Sequence, residues 1–402
     1  MMNLSDVDVC VAGGGPAGLV LSLLLARDGH RVTIFEKHAD FLRDFRGDTV
    51  HPSTLTLFDQ LGLMEKIEKL PHRNAAQLWV TFANGTYPIA DFSRLRVPHP
   101  YVMFVPQWDL LELLASEAAN YPGFTLLRSH EVVDLIHAED GAVAGVVASG
   151  PDNARVEVRA KVTVAADGRH STVRARLGLR PRDFGVPMDV LWFRVPRRDN
   201  ESVGANMHVG SGRLMILIDR GDYFQIAYAI PKGAYDIVVD AGLPVFRESV
   251  AQLAPALADR VDAIASWDDV RMLTVRVDRL ARWHVPGALL IGDAAHTMAP
   301  AGGVGINLAI QDAVAAARLL GPALHAGRPA NLGALRRRRL FPTVGTQFMQ
   351  RVAHRVLLGR GLGANGLVPA PLAVRLLIRA PGIRRIPTRI TGVGLRPEYL
   401  AE

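Results

Sequence analysis

The chain begins with a short apolar run, residues 7–12 (VDVCVA), which has the length of one buried parallel strand. A glycine-rich turn, residues 13–18 (GGGPAG), separates this run from an apolar segment typical of a helix. Residues 31–35 (RVTIF) then predict a second strand, which ends at Glu36. Strand, turn, helix and strand in this order predict a βαβ unit at the start of an α/β fold.

The glycine-rich turn fits the pattern G-x-G-x-x-G. Gly13 allows the tight turn, Gly15 lets the backbone approach a pyrophosphate, and Gly18 lets helix and strand pack closely. The helix N-terminus offers free N–H groups and a partial positive charge. Glu36 can accept hydrogen bonds from ribose hydroxyls and would repel a 2′-phosphate. We therefore predict a bound dinucleotide; the alternative is a glycine-rich turn without a ligand.

Two later strand patterns end in an acidic residue beside a glycine. Residues 161–165 precede Asp167, and residues 288–291 precede Asp293. A second glycine-rich loop, residues 300–305 (PAGGVG), then begins another predicted helix. Loops that follow parallel strands meet at one edge of the sheet, so these patterns predict a binding crevice there.

Two further stretches, residues 79–89 and 190–230, alternate apolar and polar positions. In the second, residues 215–218 and 223–230 predict a hairpin. These stretches predict a separate, mainly antiparallel sheet built from two insertions. The family resemblance given below implies that this sheet roofs a substrate cavity. Alternation does not tell which face points toward that cavity, so each large side chain is either a cavity residue or a core residue. The candidates are Trp192, Met207, His208, Met215, Phe224 and Tyr228.

The net charge of +7 is unevenly distributed. Residues 313–397 contain fifteen arginines and no Asp, Glu or Lys, so the rest of the chain carries −8, the difference between these numbers. The basic character belongs to the C-terminal segment alone, and we expect no nucleic-acid partner. The single cysteine, Cys10, excludes an intrachain disulfide and argues against a thiolate metal site; we expect no metal.

The N-terminus shows no basic and apolar leader pattern, and no run of about 18 apolar residues occurs. We therefore expect no spanning helix and a cytoplasmic location.

Three motifs together resemble the group A flavoprotein monooxygenases, the para-hydroxybenzoate hydroxylase-like family. They are G-x-G-x-x-G at residues 13–18, D-G-x-x-S-x-x-R at 167–174 and G-D-A-x-H-x-x-x-P at 292–300. The resemblance implies a Rossmann-like FAD-binding domain with an inserted, mainly antiparallel substrate domain. The expected boundaries are residues 1–70, 101–175 and 276–330 for the FAD-binding domain, 71–100 and 176–275 for the substrate domain, and 331–402 for a basic helical segment.

The resemblance also implies FAD bound in an extended pose. Glu36 would hold the adenosine ribose and Asp293 the ribityl chain, while Asp167 would link pyrophosphate and nicotinamide binding. Arg46 and Gln107 match further FAD-contacting positions, although many relatives have arginine where this chain has Gln107. The predicted cofactor-binding residues are Gly13, Gly15, Pro16, Ala17, Gly18, Glu36, Lys37, Arg46, Gln107, Asp167, Gly292, Asp293, Pro300, Gly303, Gly305, Ile306 and Asn307.

A chemical argument also connects the loop at residues 300–305 with flavin binding. Reduced flavin is an anion around N1–C2=O, and Gly302 and Gly303 would place backbone N–H groups and a helix N-terminus there. Such a potential would stabilise the anion by about 1–2 kcal/mol. Pro300 would fix the loop, and His296 is interpreted as structural in preference to a proton-transfer group.

The implied reaction is carried by the cofactor. NAD(P)H reduces FAD, O2 adds to form a C4a-hydroperoxide, and one oxygen atom passes to an aromatic or polyketide-like small molecule. Two alternatives stay open: a flavin-dependent reductase or oxidase of similar fold that acts on a lipid-like substrate, and a non-catalytic FAD-binding protein. The sequence does not choose between NADH and NADPH and leaves the oligomeric state open.

The C-terminal segment allows two interpretations. After four consecutive arginines, Val344, Phe348, Val352 and Val356 follow roughly helical spacing. The simpler interpretation is a helical appendage whose arginines are solvated or paired with the acidic body. The alternative is peripheral attachment to an anionic membrane, where each basic residue near the surface contributes about 1 kcal/mol.

Overall fold

The computed structural model describes residues 2–3, 6–42, 49–199, 201, 204–358, 366–372, 374–375 and 381–400. The strands are β1 Met2–Asn3, β2 Val7–Ala12, β3 Val32–Glu36, β4 Thr49–Val50, β5 Arg73–Ala75, β6 Gln77–Phe82, β7 Gly85–Asp91, β8 Val102–Phe104, β9 Phe124–Arg128, β10 Glu131–His137, β11 Val143–Ser149, β12 Arg155–Ala165, β13 Arg182–Asp183, β14 Met188–Pro196, β15 Ala205–Gly210, β16 Arg213–Asp219, β17 Tyr223–Pro231, β18 Arg271–Leu273, β19 Asp278–Arg279, β20 His284–Val285 and β21 Ala288–Leu290. The α-helices are α1 Pro16–Arg27, α2 Pro52–Gln60, α3 Met64–Ile67, α4 Gln107–Ala118, α5 Thr172–Arg176, α6 Tyr235–Asp240, α7 Leu243–Leu253, α8 Val304–His325, α9 Gly333–Leu358 and α10 Pro381–Gly392.

A parallel sheet with the strand order β21-β12-β2-β3-β9 lies at the centre of the first layer. Its strands end at the same level, because Ala12 pairs with Ala165 and Phe35, and Ala165 pairs with Leu290. The loops that follow β2, β12 and β21 therefore meet at one edge. These are the glycine-rich turn, the Asp167 loop and the Asp293 loop, so the predicted crevice edge is confirmed.

Helices α1 and α8 pack together on one face of this sheet. Almost every residue of α1 is buried, which agrees with its uniformly apolar sequence. The other face is covered by the hairpin of β10 and β11 and by the buried indole of Trp283. The predicted βαβ unit is confirmed.

The second sheet has the strand order β18-β14-β17-β16-β15-β6-β7, and its neighbours are antiparallel except for β15 and β6. The predicted hairpin is present as β16 and β17, with Met215 opposite Tyr228. One face of the sheet packs against Phe246, Val250 and Leu253 of α7. The α/β fold with an inserted, mainly antiparallel sheet is confirmed, while the domain boundaries stay a prediction.

Helix α9 packs on α8 with its polar side inward. Arg339, Thr343, Gln347 and Gln350 are buried, and the side chains of residues 356–358 are outside the described set. Among the described residues, α8 is the helix that is long and apolar enough to cross a membrane, but 61% of its apolar stretch is buried inside the fold, as in a core helix.

Candidate active site

A cavity of about 400 Å³ lies between the carboxyl edge of the parallel sheet and one face of the antiparallel sheet. Helices α1 and α8 both begin at this cavity, and neither has a side-chain cap on its first turn. Their free backbone N–H groups are therefore available to a ligand. The predicted site residues that line the cavity are Gly15, Pro16, Ala17, Gln107, Gly292, Asp293, Pro300, Gly302, Gly303, Gly305 and Ile306.

The glycine-rich turn leaves no room for side chains at two of its positions. Gly13 has φ +103°, and a Cβ there would lie 2.5 Å from the carbonyl oxygen of Ala166. A Cβ at Gly18 would lie 2.0 Å from the carbonyl oxygen of Gly13. At Gly15, by contrast, a Cβ would meet nothing within 4 Å. The turn is thus packed tightly on its protein side and open on its cavity side.

Glu36 holds this turn at the end of β3. Its Oε2 accepts a hydrogen bond from the Gly14 N–H (3.1 Å), and its Oε1 accepts one from the His38 N–H (3.0 Å) and lies 2.7 Å from the His38 Nδ1. Lys37 is exposed and does not line the cavity. The predicted cofactor residue Arg46 lies outside the described residues.

The second glycine-rich loop is held by Asn307. Its side-chain amide donates to the carbonyl oxygens of Gly303 and Thr49, both at 3.0 Å, and its Oδ1 accepts the His51 N–H at 2.9 Å. Gly303 has φ +62°, and a Cβ there would lie 2.6 Å from Thr49 Cβ. Asn307 therefore supports the loop from behind and does not line the cavity.

Asp293 lies on the cavity wall, where Arg169 Nη2 is 3.9 Å from its Oδ2. Burial raises the pKa of this carboxyl, and the nearby charges of Arg169 and His296 oppose that shift. Asp167, in contrast, does not line the cavity. It accepts the Val173 N–H at 3.1 Å, and Ser171 caps α5 by accepting the Arg174 N–H at 2.9 Å.

A buried ionic cluster lies beneath the Gly292-Asp293 turn. Asp312 Oδ2 accepts the Gly292 N–H at 3.2 Å and lies 2.6 Å from His296 Nε2, while Oδ1 accepts Arg339 Nε–H at 2.8 Å. Burial alone would raise the pKa of Asp312, but His296 and Arg339 outweigh it and lower that pKa. His296 is buried and does not line the cavity, which agrees with a structural role.

The antiparallel sheet presents an apolar face to the cavity. Trp192 and Met207 lie on this face, as predicted. The prediction is wrong for Met215, Phe224 and Tyr228, which point the opposite way into the core against α7. The residues of the sheet that do line the cavity are Met188, Val190, Trp192, Ala205, Met207, Leu214, Ile216, Ile218, Gln225, Ala227, Ala229 and Leu273.

The hydrogen bonds of Tyr228 and of His208, another candidate of the sequence analysis, agree with an orientation away from the cavity. The Tyr228 hydroxyl donates to Ser249 Oγ at 3.1 Å, and His208 Nδ1 lies 2.9 Å from the carbonyl oxygen of Leu253. The side chains alternate along each strand, so choosing odd or even residues reverses the whole face.

Residues 6–351 match the protein-family model described as "FAD binding domain". The chain is 34% identical over 390 residues to 6-methylpretetramide 4-monooxygenase from Streptomyces rimosus, covering 96% of this chain and 92% of that protein. The chain belongs to this family of FAD-binding flavoprotein monooxygenases.

Two further similarities agree with the family. The 12-dehydrotetracycline 5-monooxygenase/anhydrotetracycline 6-monooxygenase of Streptomyces rimosus subsp. rimosus is 33% identical over 81% of this chain, which spans 64% of that longer protein. The solved structure of OxyS anhydrotetracycline hydroxylase from Streptomyces rimosus superimposes with a TM-score of 0.72 and 26% identity, covering 99% of this chain and 78% of that one.

The cavity wall fits the cofactor of this family. The open side of the Gly15 turn and the uncapped start of α1 suit a pyrophosphate, which needs backbone N–H groups and close approach. The uncapped start of α8 offers a second positive potential at the same cavity. Asp293, which also lines the cavity, can accept hydrogen bonds from hydroxyl groups.

Sequence reasoning missed the polar groups inside the cavity. Gln225 lies on β17 and Arg220 in the turn between β16 and β17, and Arg220 Nε–H donates to Gln225 Oε1 at 2.8 Å. His51 also lines the cavity, beside Gly303. Burial lowers the pKa of His51 to about 4, so its imidazole is neutral at pH 7. Gln225 carried a signal, because a polar residue interrupts the apolar strand β17; His51 carried none.

Proposed function

We propose that this protein is an FAD-dependent monooxygenase that uses NAD(P)H and O2 to hydroxylate an aromatic or polyketide-like small molecule. The observation that carries this proposal is the cavity itself, which has a cofactor-type wall on one side and an apolar wall on the other. A bound FAD supplies the redox chemistry, accepting a hydride from NAD(P)H and activating O2.

The chain's own residues then have three tasks. Backbone N–H groups at the starts of α1 and α8 hold the cofactor's anionic groups, and Asp293 accepts hydrogen bonds from its hydroxyls. The apolar sheet face excludes water, which would otherwise divert the reaction toward peroxide release. The Asp312 cluster fixes the Gly292 backbone and thereby the neighbouring Asp293.

Arg220 and Gln225 indicate a substrate that combines a broad apolar body with an acidic or strongly polar oxygen. Gln225 is a polar residue within the apolar face, Arg220 lines the cavity from the turn between β16 and β17, and its guanidinium lies 6.0 Å from the centre of the Phe104 ring. A phenolate or enolate oxygen on a fused-ring skeleton matches this arrangement. The name of the relative that is 34% identical, a monooxygenase of 6-methylpretetramide, supports the same substrate class.

The decisive experiment is a substrate panel on FAD-loaded protein. NADH or NADPH oxidation should accelerate with the true substrate, and one atom from ¹⁸O-labelled oxygen gas should enter the product. Peroxide measured in parallel separates coupled turnover from leakage. A product without label, formed by hydride transfer, would favour the reductase; FAD binding without any stimulated oxidation would favour the non-catalytic protein.

A pair of variants tests whether Arg220 binds the polar oxygen of the substrate. Arg220→Met should raise KM by about 10- to 150-fold, because a hydrogen bond to a charged group contributes about 1.5–3 kcal/mol. Arg271→Met, on exposed β18 of the same sheet, is the matched control. Equal KM values for the two variants, with normal FAD content, would show that Arg220 does not contact the substrate.

A further inference from the structure

Three potential metal ligands meet where the C-terminal ends of α1 and α8 pack together. Asp28 and His30 follow α1, and His325 is the last residue of α8. The Asp28 Oδ2 lies 3.3 Å from His30 Nε2 and 3.1 Å from His325 Nε2, and the three ligand atoms are all within 4.8 Å of one another. We propose that Asp28, His30 and His325 form a binding site for a divalent transition-metal ion of the zinc type.

The spacing agrees with one shared ion. Zinc binds imidazole nitrogen and carboxylate oxygen at about 2.0–2.2 Å, so neighbouring donors of a tetrahedral site lie roughly 3.3–3.6 Å apart. The two distances from Asp28 Oδ2 to the imidazole nitrogens are near that range. The exposed side chains of Asp28 and His325 are free to adjust the third distance, between the two imidazole nitrogens. Two imidazoles and a carboxylate form a donor set suited to zinc and related ions and not to magnesium or calcium.

The buried histidine supplies an independent indication. His30 is only 5% exposed, yet its Nε2 has no hydrogen-bond partner of ordinary geometry among the described residues. Buried polar atoms are nearly always satisfied, so this nitrogen points to a missing ligand. It faces the other two donors, whose side chains are about half exposed, at 52% for Asp28 and 56% for His325.

Helix α8 leaves space over the cluster. Gly321 lies inside this helix, and a Cβ there would come within 2.7 Å of Asp28 Oδ2 and 3.7 Å of His30 Nε2. Glycine weakens a helix interior relative to alanine, and Gly321 has no positive φ that would require it. A Cβ at this position would require the half-exposed Asp28 carboxylate to turn away from its place beside His30 and His325.

A bound ion would clamp the two helices that carry the cofactor wall. Helices α1 and α8 both begin at the cavity, and the cluster joins their other ends, about 18 Å along α1. The ion would therefore stabilise the folded chain by binding to it and not to the unfolded one. It has no role in the chemistry at the cavity.

The test uses full-length, FAD-loaded protein without a histidine tag, stripped with a chelator. Zinc chloride titrated by calorimetry should show one site that is lost in Asp28→Asn and His325→Ala, and zinc should raise the unfolding temperature of the parent but not of these two variants. Cobalt should give the visible absorption of a tetrahedral complex. His137→Ala, which removes an exposed histidine on β10, should keep the site.

Two further measurements keep the result interpretable. Gly321→Ala should weaken zinc binding, because the Asp28 carboxylate must turn away from the added Cβ, and magnesium should not compete. If Asp28→Asn lowers the unfolding temperature without metal while the parent binds no zinc, Asp28 only pairs with the two histidines and the proposal is wrong. Zinc binding of equal stoichiometry and affinity in the parent, Asp28→Asn and His325→Ala would also overturn the proposal.

Discussion

The buried guanidinium of Arg339 should be among the most costly side chains to remove. It is fully buried, and it donates to Asp312 Oδ1 at 2.8 Å, Gln311 Oε1 at 3.2 Å and the Arg396 carbonyl oxygen at 2.9 Å. It also lies 3.6 Å from Glu398, whose side chain is equally buried. Arg339→Met retains most of the volume and removes the charge and these donors.

The expected loss of unfolding free energy follows from the buried groups that lose their partner in Arg339→Met. Three hydrogen bonds that involve charged groups would contribute about 1.5–3 kcal/mol each if they were independent. They are not independent, because Asp312 keeps His296 and Glu398 keeps Arg338. Breaking one partner of a buried ion pair costs about 3–5 kcal/mol, and we expect the free energy of unfolding to fall by this amount.

Chemical denaturation followed by tryptophan fluorescence measures the loss, and flavin release gives a second signal. Arg337→Met is the matched control, since Arg337 is exposed on the same helix and should change stability by less than about 1 kcal/mol. Comparable losses for Arg337→Met and Arg339→Met would refute the reasoning from burial.

Two other changes test the cofactor wall and its support. Gly13→Ala and Gly29→Ala both place alanine at positive φ (+103° and +85°), but only the alanine at Gly13 would also clash with the Ala166 carbonyl oxygen. We therefore expect Gly13→Ala to retain much less FAD after purification than Gly29→Ala. Equal flavin content in the two variants would contradict this. The folded-state pKa of Asp312 is lowered, so its carboxylate stabilises the fold above the unfolded pKa of about 3.9, and this contribution disappears as the pH falls through the lower folded value. Unfolding midpoints of the parent should therefore decline more steeply below about pH 4 than those of Asp312→Asn; parallel curves would exclude Asp312 as the source.

The local patterns predicted the glycine-rich loops of the cavity wall because the reasons for these loops are local. The positive φ of Gly13 and the close approach of Gly18 to the Gly13 carbonyl oxygen both arise within the turn itself. The orientation of β17 was not predictable in this way, because Phe224 and Gln225 occupy opposite faces and only the position of α7 decides which face is core. The contact of Asp312 with Arg339 likewise depends on how α9 returns to α8.

Helix α9 shows the largest departure from the usual pattern. Its polar residues face the core, where Gln347 donates to the carbonyl oxygens of Asp278 and Thr297. Four of its apolar residues face outward: Phe341, Val344, Phe348 and Val352 are between 38% and 63% exposed. The predicted helical spacing was correct, but these side chains do not pack on the body of the protein.

The charges around this outer face favour an anionic membrane over a second copy of the chain. Arg337 and Arg355 are exposed at its two ends, at helical spacing from the apolar residues. No acid occurs between residues 313 and 397, so antiparallel pairing of two α9 helices would bring arginine against arginine. An apolar stripe flanked by arginines is instead typical of helices that lie in a membrane interface.

Co-sedimentation with liposomes tests this prediction on the full-length chain. Binding should increase with anionic lipid, decrease with salt, and be lost in the double variant Phe341→Ser/Phe348→Ser. Ile237→Ser, which removes an exposed apolar side chain of α6, is the control and should bind as the parent does. The exposed residues of α9 contribute apolar area and charge together, so neutral vesicles should bind weakly. Equal binding to neutral and anionic vesicles would contradict the electrostatic part, and a dimer that the double variant dissociates, without lipid binding, would identify a second copy as the occupant.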